Sequence, residues 1–428
     1  MMQAYRAEGM REVAVFDLFA RRLPETRNYL VTCGLDEVLH YLESVRFSGS
    51  DIDYLRSLQR FSPEFLEYLA EFRFTGDVWA MPEGTVAFAN EPVLEVVAPL
   101  PEAQLAETFV LNQIHIATLA ASKAARVVTS AQGRTVVDYG LRRMQGTDAG
   151  IKSARAYYIA GVDATSNVLA GRMYGVPVSG TMAHSYIQAH ESEYEAFRNF
   201  VKQGPGAILL VDTYGTIEGI HQVIRLSQEM GSRFEITGIR LDSGDPISLS
   251  KEARRLLDEA GLSRVKIFAS SSLDEQIIEE LIESSAPIDG FGVGTRMAVS
   301  ADAPYLDFVY KLVEYAGRPR TKRSPGKEIL PGRKQVYRQV EDGVAIKDIV
   351  ALRDEPVAGT PLLEAVMIDG CRVKPSPSLK EIREYCREQL RRLPKELLQL
   401  TQSHYPVEIT DSLKGLDQEK FRQSDSQP

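Results

Sequence analysis

The middle of the chain, from about Val127 to Met297, alternates short runs of β-branched and other apolar residues with longer amphipathic stretches. Strands that alternate with helices in this way build parallel sheets from βα units. Nearly every run ends in Gly, Ser, Thr or Asp, whereas an open doubly wound sheet concentrates such residues at one switch point. The pattern therefore favours an α/β fold with an irregular central barrel of parallel strands, although an open sheet stays possible. The runs are RTVVDYG, YYIAGVDATS, VPVSGTMAHS, AILLVDTYG, FEITGIRLDSGD, VKIFASSS and IDGFGVGT.

The segment before this series has a different pattern. Helical periodicity is followed by a β-rich stretch punctuated by Pro and Gly, DVWAMPEGTVAFANEPVLEVVAP, which is typical of an α+β domain. The helices are predicted at Leu35–Glu43, Asp51–Leu58 and Pro63–Phe72.

The segment after the series is predicted to return to that first domain. It has short strands around Lys334–Asp348, a helix at Ser378–Arg391 and a polar tail from about Gln418 that we expect to fray. Taken together, the sequence predicts three parts. They are an N-terminal α+β domain at 1–125, a catalytic barrel at 126–310, and a segment at 311–428 that packs back on the N-terminal domain.

Charge and cysteine usage exclude several classes of protein. With 428 residues and a formal net charge of −9, the chain lacks the basic surplus of a nucleic-acid-binding protein. Cys33, Cys371 and Cys386 are too scattered for a zinc ribbon or a CxxC redox motif. No run approaches the roughly 18 apolar residues of a membrane span, and charges interrupt the first residues where a signal peptide would be apolar. We expect a cytoplasmic protein with neither nucleic-acid nor membrane partners.

A pair of arginines follows the first predicted strand of the series, in DYGLRRMQGTDAG from Asp138. At the carboxyl end of a barrel strand, Arg142 or Arg143 could bind a phosphate group in bidentate fashion. A surface ion pair is the alternative. No Walker A motif occurs, so any use of ATP must proceed without one.

A histidine follows the third run, in SGTMAHSYIQAH from Ser179. Gly180 and Thr181 release the chain into a turn, and His184 lies near a predicted helix start, where free N–H groups attract phosphate. Its imidazole could act as an acid or base, or carry a phosphoryl group as phosphohistidine. Isolated histidines in helices are more often structural, and we interpret three others in this way: His40, His115 and His404.

Two aspartates end the next runs, Asp212 after AILLV and Asp242 after GIRL. A carboxylate there could orient an imidazole, ligate Mg²⁺ or hold ribose hydroxyls. Each could instead cap a helix, since Asp242-Ser243 and Asp245-Pro246 both resemble helix starts. Turns at the last two strand ends, Ser270–Ser272 and the glycine-rich IDGFGVGT, could bind a phosphate through backbone amides.

Assembled in order, the motifs resemble the nicotinate phosphoribosyltransferase family of type II phosphoribosyltransferases, and the match extends over nearly the whole chain. The resemblance implies a homodimer with sites at the subunit boundaries. It also implies that nicotinate and phosphoribosyl pyrophosphate give nicotinate mononucleotide and pyrophosphate, driven by ATP hydrolysis in a ligase-type reaction. Mg²⁺ is expected mainly on the substrate phosphates. The motifs are VFDLFARR, YLVTCGLDEVLHYL, FSGSDIDYLRSL, DYGLRRMQG, TSNVLAG, SGTMAHS, GIRLDSGDP and FGVGTRM.

Roles for single residues follow from the same resemblance. His184 matches the histidine that ATP phosphorylates, and Asp212 the carboxylate that supports it. Tyr139 matches the aromatic residue that stacks on the pyridine ring, Arg240 the arginine that addresses the base and its ribose side, and Asp242 lies near the ribose hydroxyls. Arg142 and Arg143 are implied to contact the phosphates or the carboxylate of nicotinate. The strand-end turns add candidate substrate contacts at Gly180, Thr181, Ser270, Ser271, Gly292, Gly294 and Thr295.

Ser166, in TSNVLAG, bears on the choice of base. It matches the position where nicotinamide-using relatives carry an aspartate that accepts from the amide, so the resemblance implies nicotinate as substrate. Three rivals stay open: a nicotinamide-using enzyme, a quinolinate phosphoribosyltransferase that needs no ATP, and a silent regulatory paralogue. The last rests on one departure, because the family usually carries an aromatic-containing helix upstream of MMQAYRAEGM. Either the true start lies upstream or Tyr139 stacks on the base alone.

Overall fold

The computed structural model describes residues 1–204, 206–322, 324 and 329–416, and the tail predicted to fray lies outside them. Within those ranges, no helix is both long enough and apolar enough to cross a membrane. The chain forms two compact units. One comprises Met1–Ser122 with the chain from Tyr305 onward, and the other comprises Lys123–Pro304. The sequence predicts the corresponding boundaries at 125/126 and 310/311.

The N-terminal segment contains the helices predicted for it. Ser48 and Asp51 form a capping box at the start of one helix, and the Ser62 hydroxyl with Pro63 in the first turn begins the next. The elements are α1 (Met2–Ala7), β1 (Val13–Ala20), β2 (Leu30–Val31), α2 (Leu35–Ser44), α3 (Gly49–Ser57), α4 (Pro63–Ala70), β3 (Asp77–Ala80), β4 (Val86–Ala87), β5 (Pro92–Pro99) and α5 (Leu100–Ser130).

The middle of the chain alternates strands and helices, as its sequence predicts. Its elements are β6 (Thr135–Asp138), α6 (Thr147–Ile159), β7 (Ala164–Thr165), α7 (Val168–Tyr174), α8 (His184–Gln188), α9 (Glu193–Val201), β8 (Ala207–Leu210), α10 (Thr216–Met230), β9 (Ile236–Leu241), α11 (Pro246–Glu259), β10 (Lys266–Ser270), α12 (Glu275–Glu283), β11 (Gly290–Val293) and α13 (Thr295–Ala298). A 3-10 turn at Leu141–Arg143 follows β6.

These strands form one parallel sheet with the order β7-β6-β11-β10-β9-β8. The last strand, β11, pairs with the first, β6, and every other neighbour in the sheet is also the neighbour in the chain. A single bridge between Thr165 and Val178 places the VPVS run beside β7. This cyclic order is that of a barrel, because an open doubly wound sheet does not pair its first strand with its last. The predicted barrel is therefore confirmed as a curled half-barrel, interrupted between Val178 and β8 in the described chain.

The barrel strands are held by an apolar layer between the sheet and its helices. Leu209, Ile239 and Ile267, from three adjacent strands, are fully buried together with helix residues such as Phe197 and Val223. Strands β9 and β10 approach so closely that a Cβ atom at Gly238 would lie 2.5 Å from the carbonyl oxygen of Lys266. The sheet therefore requires glycine at this position.

The C-terminal segment completes the sheet of the N-terminal domain. Strand β1 lies between β5 and the first C-terminal strand, and another C-terminal strand pairs with β3, so the predicted return is confirmed. The elements are β12 (Phe308–Tyr315), β13 (Arg318–Pro319), β14 (Lys334–Glu341), β15 (Val344–Leu352), β16 (Thr360–Pro361), β17 (Glu364–Ile368), β18 (Cys371–Arg372), α14 (Leu379–Arg391), α15 (Lys395–Leu398) and β19 (Val407–Ile409).

Candidate active site

Tyr139 directly follows β6 and lines a cavity of about 280 Å³ in the barrel. Its N–H donates to the Val293 carbonyl at 2.8 Å. Its ring packs on Gly292, where a Cβ atom would lie 2.5 Å from ring carbon Cε2. Burial raises the pKa of the Tyr139 hydroxyl, and the charge of Arg240 opposes that shift. The tyrosine is therefore a neutral, fixed aromatic surface. Other residues that line the cavity include Ser179, Gly180, Thr181, Arg240, Phe268 and Phe291.

A buried carboxylate ties the ends of β6 and β7 together. Asp138 accepts hydrogen bonds from the Gly140 N–H and the Thr165 hydroxyl, both at 2.7 Å. Its backbone carbonyl accepts from the Ser166 N–H at 2.9 Å. Burial raises the pKa of Asp138. Asp138 therefore fixes the two strand ends that present Tyr139 and Ser166, a role for which the sequence offered no separate signal.

Arg240, on β9, is held on all sides by residues from neighbouring strand ends. Its guanidinium donates to the Thr181 hydroxyl at 3.1 Å, the Met182 carbonyl at 2.9 Å, Asp242 Oδ1 at 2.9 Å and the Ser270 hydroxyl at 3.1 Å. The Ser270 hydroxyl also donates to Asp242. Only 13% of the Arg240 side chain is exposed. The cation is thus fixed beside Tyr139, which is the preorganisation that an anionic or electron-rich substrate requires.

His184 is the first residue of α8, as the sequence predicts, and 40% of its side chain is exposed. Its Nδ1 lies 3.1 Å from the Thr213 hydroxyl, and its Nε2 lies 3.6 Å from Asp242 Oδ2. Asp212 Oδ2 instead accepts from the Asp242 N–H at 2.8 Å and the Ser243 hydroxyl at 2.6 Å. The expectation that Asp212 supports His184 directly needs correction. Asp242 is the carboxylate that faces the imidazole, and Asp212 holds Asp242.

The helix-cap interpretation applies to a different aspartate. Asp245 accepts from the Ile247 and Ser248 N–H groups at 3.2 and 3.1 Å, with Pro246 in the first turn, and so begins α11. Asp242 caps no helix; its side chain is committed to Arg240, Ser270 and His184.

Several predicted phosphate contacts lie at the same strand ends but on exposed turns. Ser271 and its neighbour Ser272 have φ angles of 79° and 53°, a left-handed backbone that is uncommon for residues other than glycine. Gly294 precedes α13 and Thr295 begins it, while a Cβ atom at Gly180 would meet only open space. These turns leave room for a ligand at the mouth of the barrel.

Arg142 and Arg143 are both exposed on the 3-10 turn after β6. Neither forms an ion pair with any residue that the structure describes, so the surface ion pair suggested as an alternative is not seen there. Their charges therefore remain available to an anion at the barrel mouth.

The remaining histidines and possible metal ligands are placed elsewhere. His115 accepts from the Leu306 N–H at 3.0 Å, and burial lowers its pKa, as expected of a structural histidine. His40 and His404 are exposed. Among the described residues, no three His, Cys, Asp or Glu side chains cluster as metal ligands. The protein therefore does not itself build a metal cage in this part of the chain.

A fixed aromatic ring beside a fixed arginine, in a barrel whose turns can receive anions, suits an enzyme that handles a flat base together with a phosphate-bearing partner. Comparison with known proteins identifies the family. The N-terminal domain of nicotinate phosphoribosyltransferase (NAPRTase) matches residues 1–115, and its C-terminal domain matches residues 357–417. The model of the NAPRTase family matches residues 135–342. The chain belongs to the nicotinate phosphoribosyltransferase family.

Individual relatives match over most of their length. The chain is 53% identical to nicotinate phosphoribosyltransferase pncB2 of Mycobacterium tuberculosis, covering 97% of this chain and 90% of that protein. It is 38% identical to nicotinate phosphoribosyltransferase of Bacillus subtilis, covering 96% and 91%. The crystal structure of human nicotinic acid phosphoribosyltransferase superimposes with a TM-score of 0.84 at 28% identity, covering 98% of both chains. The likeness therefore includes both compact units.

Proposed function

We propose that this enzyme joins nicotinate to phosphoribosyl pyrophosphate, releases pyrophosphate and couples the reaction to ATP hydrolysis through a phosphohistidine at His184. The product, nicotinate mononucleotide, would serve NAD biosynthesis. Family membership supports the transfer reaction. The observation that carries the ATP step is the half-exposed His184 ring, which lies between a hydroxyl and a carboxylate at the barrel mouth.

In the transfer step, the pyridine nitrogen of nicotinate attacks C1′ of the ribose as the bond from C1′ to pyrophosphate breaks. We assign Tyr139 to hold the pyridine ring and Asp242 to lie near the ribose hydroxyls. Arg142, Arg143 and the turn amides would stabilise the leaving pyrophosphate, because charge develops there in the transition state. Mg²⁺ is expected to arrive on the phosphate groups, since the described residues offer it no cluster of ligands.

The surroundings of His184 indicate which nitrogen would attack ATP. A carboxylate at Nε2 favours the tautomer that carries its proton there, which leaves the lone pair on Nδ1. Nδ1 would displace the Thr213 hydroxyl and bond to the γ-phosphorus, while the bond from that phosphorus to ADP breaks and ADP leaves with the electron pair. Asp242 would stabilise the resulting cation at Nε2.

We further propose a homodimer in the cytoplasm. Helix α7 exposes Val168, Leu169 and Met173, whose side chains are 68%, 49% and 56% accessible. Val178 packs beside this helix, since a Cβ atom at Gly171 would lie 2.3 Å from its Cγ2, and it is exposed as well. Contiguous apolar side chains on a surface are typical of protein interfaces. This patch supports a second copy of the chain as the partner.

The phosphohistidine is tested by the substitution His184→Asn. We expect loss of ATP hydrolysis and of acid-labile phosphate incorporation from labelled ATP, because asparagine has no nucleophilic ring nitrogen. Slow nicotinate mononucleotide formation should survive, since Tyr139 and Arg240 are untouched. His190→Asn is the matched control, because the His190 ring lies near the same helix but bonds to the Tyr186 carbonyl. Wild-type labelling of the His184→Asn protein would place the phosphoacceptor elsewhere, with His190 and His221 next to examine.

A further inference from the structure

Two neighbouring strands of the barrel, β10 and β11, end in turns that carry candidate substrate contacts. The parallel pairing of these strands runs as far as Ser270 beside Gly292, so the two turns leave the same edge of the sheet side by side. Residues 271–274, which lead into α12, are called the β10 turn here, and residues 294–296, at the start of α13, the β11 turn. A ligand that contacts both turns depends on the spacing between them.

An ion pair joins the two turns. The Arg296 guanidinium, in the β11 turn, donates through Nη1 to Oδ2 of Asp274, at the end of the β10 turn. The other oxygen of Asp274 accepts from the Ile277 N–H at 3.0 Å and so caps α12. The Asp274 side chain is 10% exposed and that of Arg296 is 43% exposed. Asp274 is therefore the fixed member of the pair, and Arg296 reaches across to it.

A second, buried network joins the segments behind the turns. Lys123 Nζ lies 2.5 Å from Oε2 of Glu275, the first residue of α12, and 2.7 Å from Oδ1 of Asp302, which follows α13. Arg126 Nε donates to the other oxygen of Glu275 at 3.1 Å. The segments that follow β10 and β11 are thus held together from inside, without Arg296. Loss of the outer ion pair should therefore disturb the turns and leave the fold intact.

The outer pair lies directly beside the exposed part of the β10 turn. Leu273 and Asp274 are buried, whereas Ser271 and Ser272 before them are exposed. The charge of Asp274 is therefore two residues from backbone that is free to meet a ligand. A carboxylate in that place would repel an anion unless a cation neutralised it, and Arg296 is that cation.

We propose that Asp274 and Arg296 are positioning residues, which hold the β10 and β11 turns at the spacing that the phosphate groups of phosphoribosyl pyrophosphate require. Arg296 also neutralises the carboxylate nearest to those groups. Neither side chain touches the reacting atoms in this assignment. The inference rests on the proposed transfer reaction, but it does not need the phosphohistidine.

Two substitutions at Asp274 separate the ion pair from the helix cap. Asp274→Asn keeps an oxygen that can cap α12 but loses the charge that binds Arg296, and Asp274→Ala loses both. Both variants should raise KM for phosphoribosyl pyrophosphate about three- to tenfold and leave KM for nicotinate and kcat within about twofold, because only the phosphate turns are misplaced. The melting temperature should fall in Asp274→Ala alone.

Arg296→Gln and the double variant test whether Arg296 itself binds the substrate. Arg296→Gln breaks the pair and also uncovers the charge of Asp274, so it should raise KM for phosphoribosyl pyrophosphate more than Asp274→Asn does. Adding Asp274→Asn to it removes the uncovered charge and should lower this KM again. Arg255→Gln is the matched control, since Arg255 is an exposed arginine that pairs with Glu252 and Glu259 on α11.

The experiment measures KM for both substrates with saturating ATP and Mg²⁺, calorimetric binding of phosphoribosyl pyrophosphate, and the melting temperature of each variant. An unchanged KM for phosphoribosyl pyrophosphate in Asp274→Asn and Arg296→Gln overturns the inference. A lower KM in Asp274→Asn, or a double variant no better than Arg296→Gln, also overturns it and makes Arg296 a direct phosphate ligand. If the wild type makes no nicotinate mononucleotide but binding follows the predicted order of variants, the proposed function fails and the positioning role stands.

Discussion

We propose that Ser166 sets the choice of base. It follows β7, and its N–H donates to the carbonyl of Asp138, directly before Tyr139. The backbone of the serine is therefore tied to the strand end that carries Tyr139. A neutral hydroxyl there does not repel the carboxylate of nicotinate.

The substitution Ser166→Asp should shift preference from nicotinate toward nicotinamide. Two like charges about 4 Å apart interact by on the order of 4 kcal/mol at an effective dielectric constant of about 20, which corresponds to nearly three decades of affinity. The measurement is the ratio of kcat/KM for the two bases. Ser166→Asn, which adds an amide without a charge, is the control. An unchanged ratio in Ser166→Asp would remove this residue from the specificity assignment.

At the level of residues, the sequence indicates a candidate site because the ends of the strands are visible in the chain. His184, Arg240 and Asp242 each follow or end an apolar run, and the structure brings them together. The sequence alone does not show which aspartate faces His184, because Asp212 and Asp242 occupy equivalent places after β8 and β9. Nothing in the sequence singles out Thr213, whose hydroxyl lies beside His184, apart from its position next to Asp212.

At the level of elements, the start of α11 separates a structural aspartate from a functional one three residues earlier. Asp245 caps the helix, whereas Asp242 belongs to the site. We expect Asp245→Ala to lower the free energy of unfolding by about 1 kcal/mol, since two helix N–H groups lose their acceptor, with little effect on kcat. Asp242→Ala should show the reverse, a large loss of kcat with a smaller change in stability. Denaturant unfolding and steady-state kinetics measure both, and equal patterns in the two variants would contradict the division.

The barrel itself was predictable from repeated polar strand ends, but its interruption was not. The run VPVS contributes only the bridge at Val178, and the sheet resumes at β8. The composition of this run by itself predicts a strand, because β-branched residues favour strands. Whether it pairs on both sides depends on the path of α8 and α9, which the sequence pattern does not encode.

At the level of the whole molecule, both ends of the chain build one unit. Strand β1 is hydrogen-bonded to β5 on one side and to β12 on the other, and β17 pairs with β3. Buried ion pairs lie within this unit, among them Asp17 with Lys334 at 2.8 Å and Glu95 with Arg353 at 3.0 Å. All the residues assigned to chemistry lie in the other unit, Lys123–Pro304.

Every role proposed for a residue of the barrel depends on the formation of nicotinate mononucleotide by this molecule. The most direct test is mass analysis of the products after purified protein is incubated with phosphoribosyl pyrophosphate, ATP, Mg²⁺ and equal amounts of nicotinate and nicotinamide. We predict nicotinate mononucleotide and pyrophosphate, with ADP and phosphate formed in parallel and no more than traces of nicotinamide mononucleotide. Absence of nicotinate mononucleotide, or a product dominated by nicotinamide mononucleotide, would contradict the account.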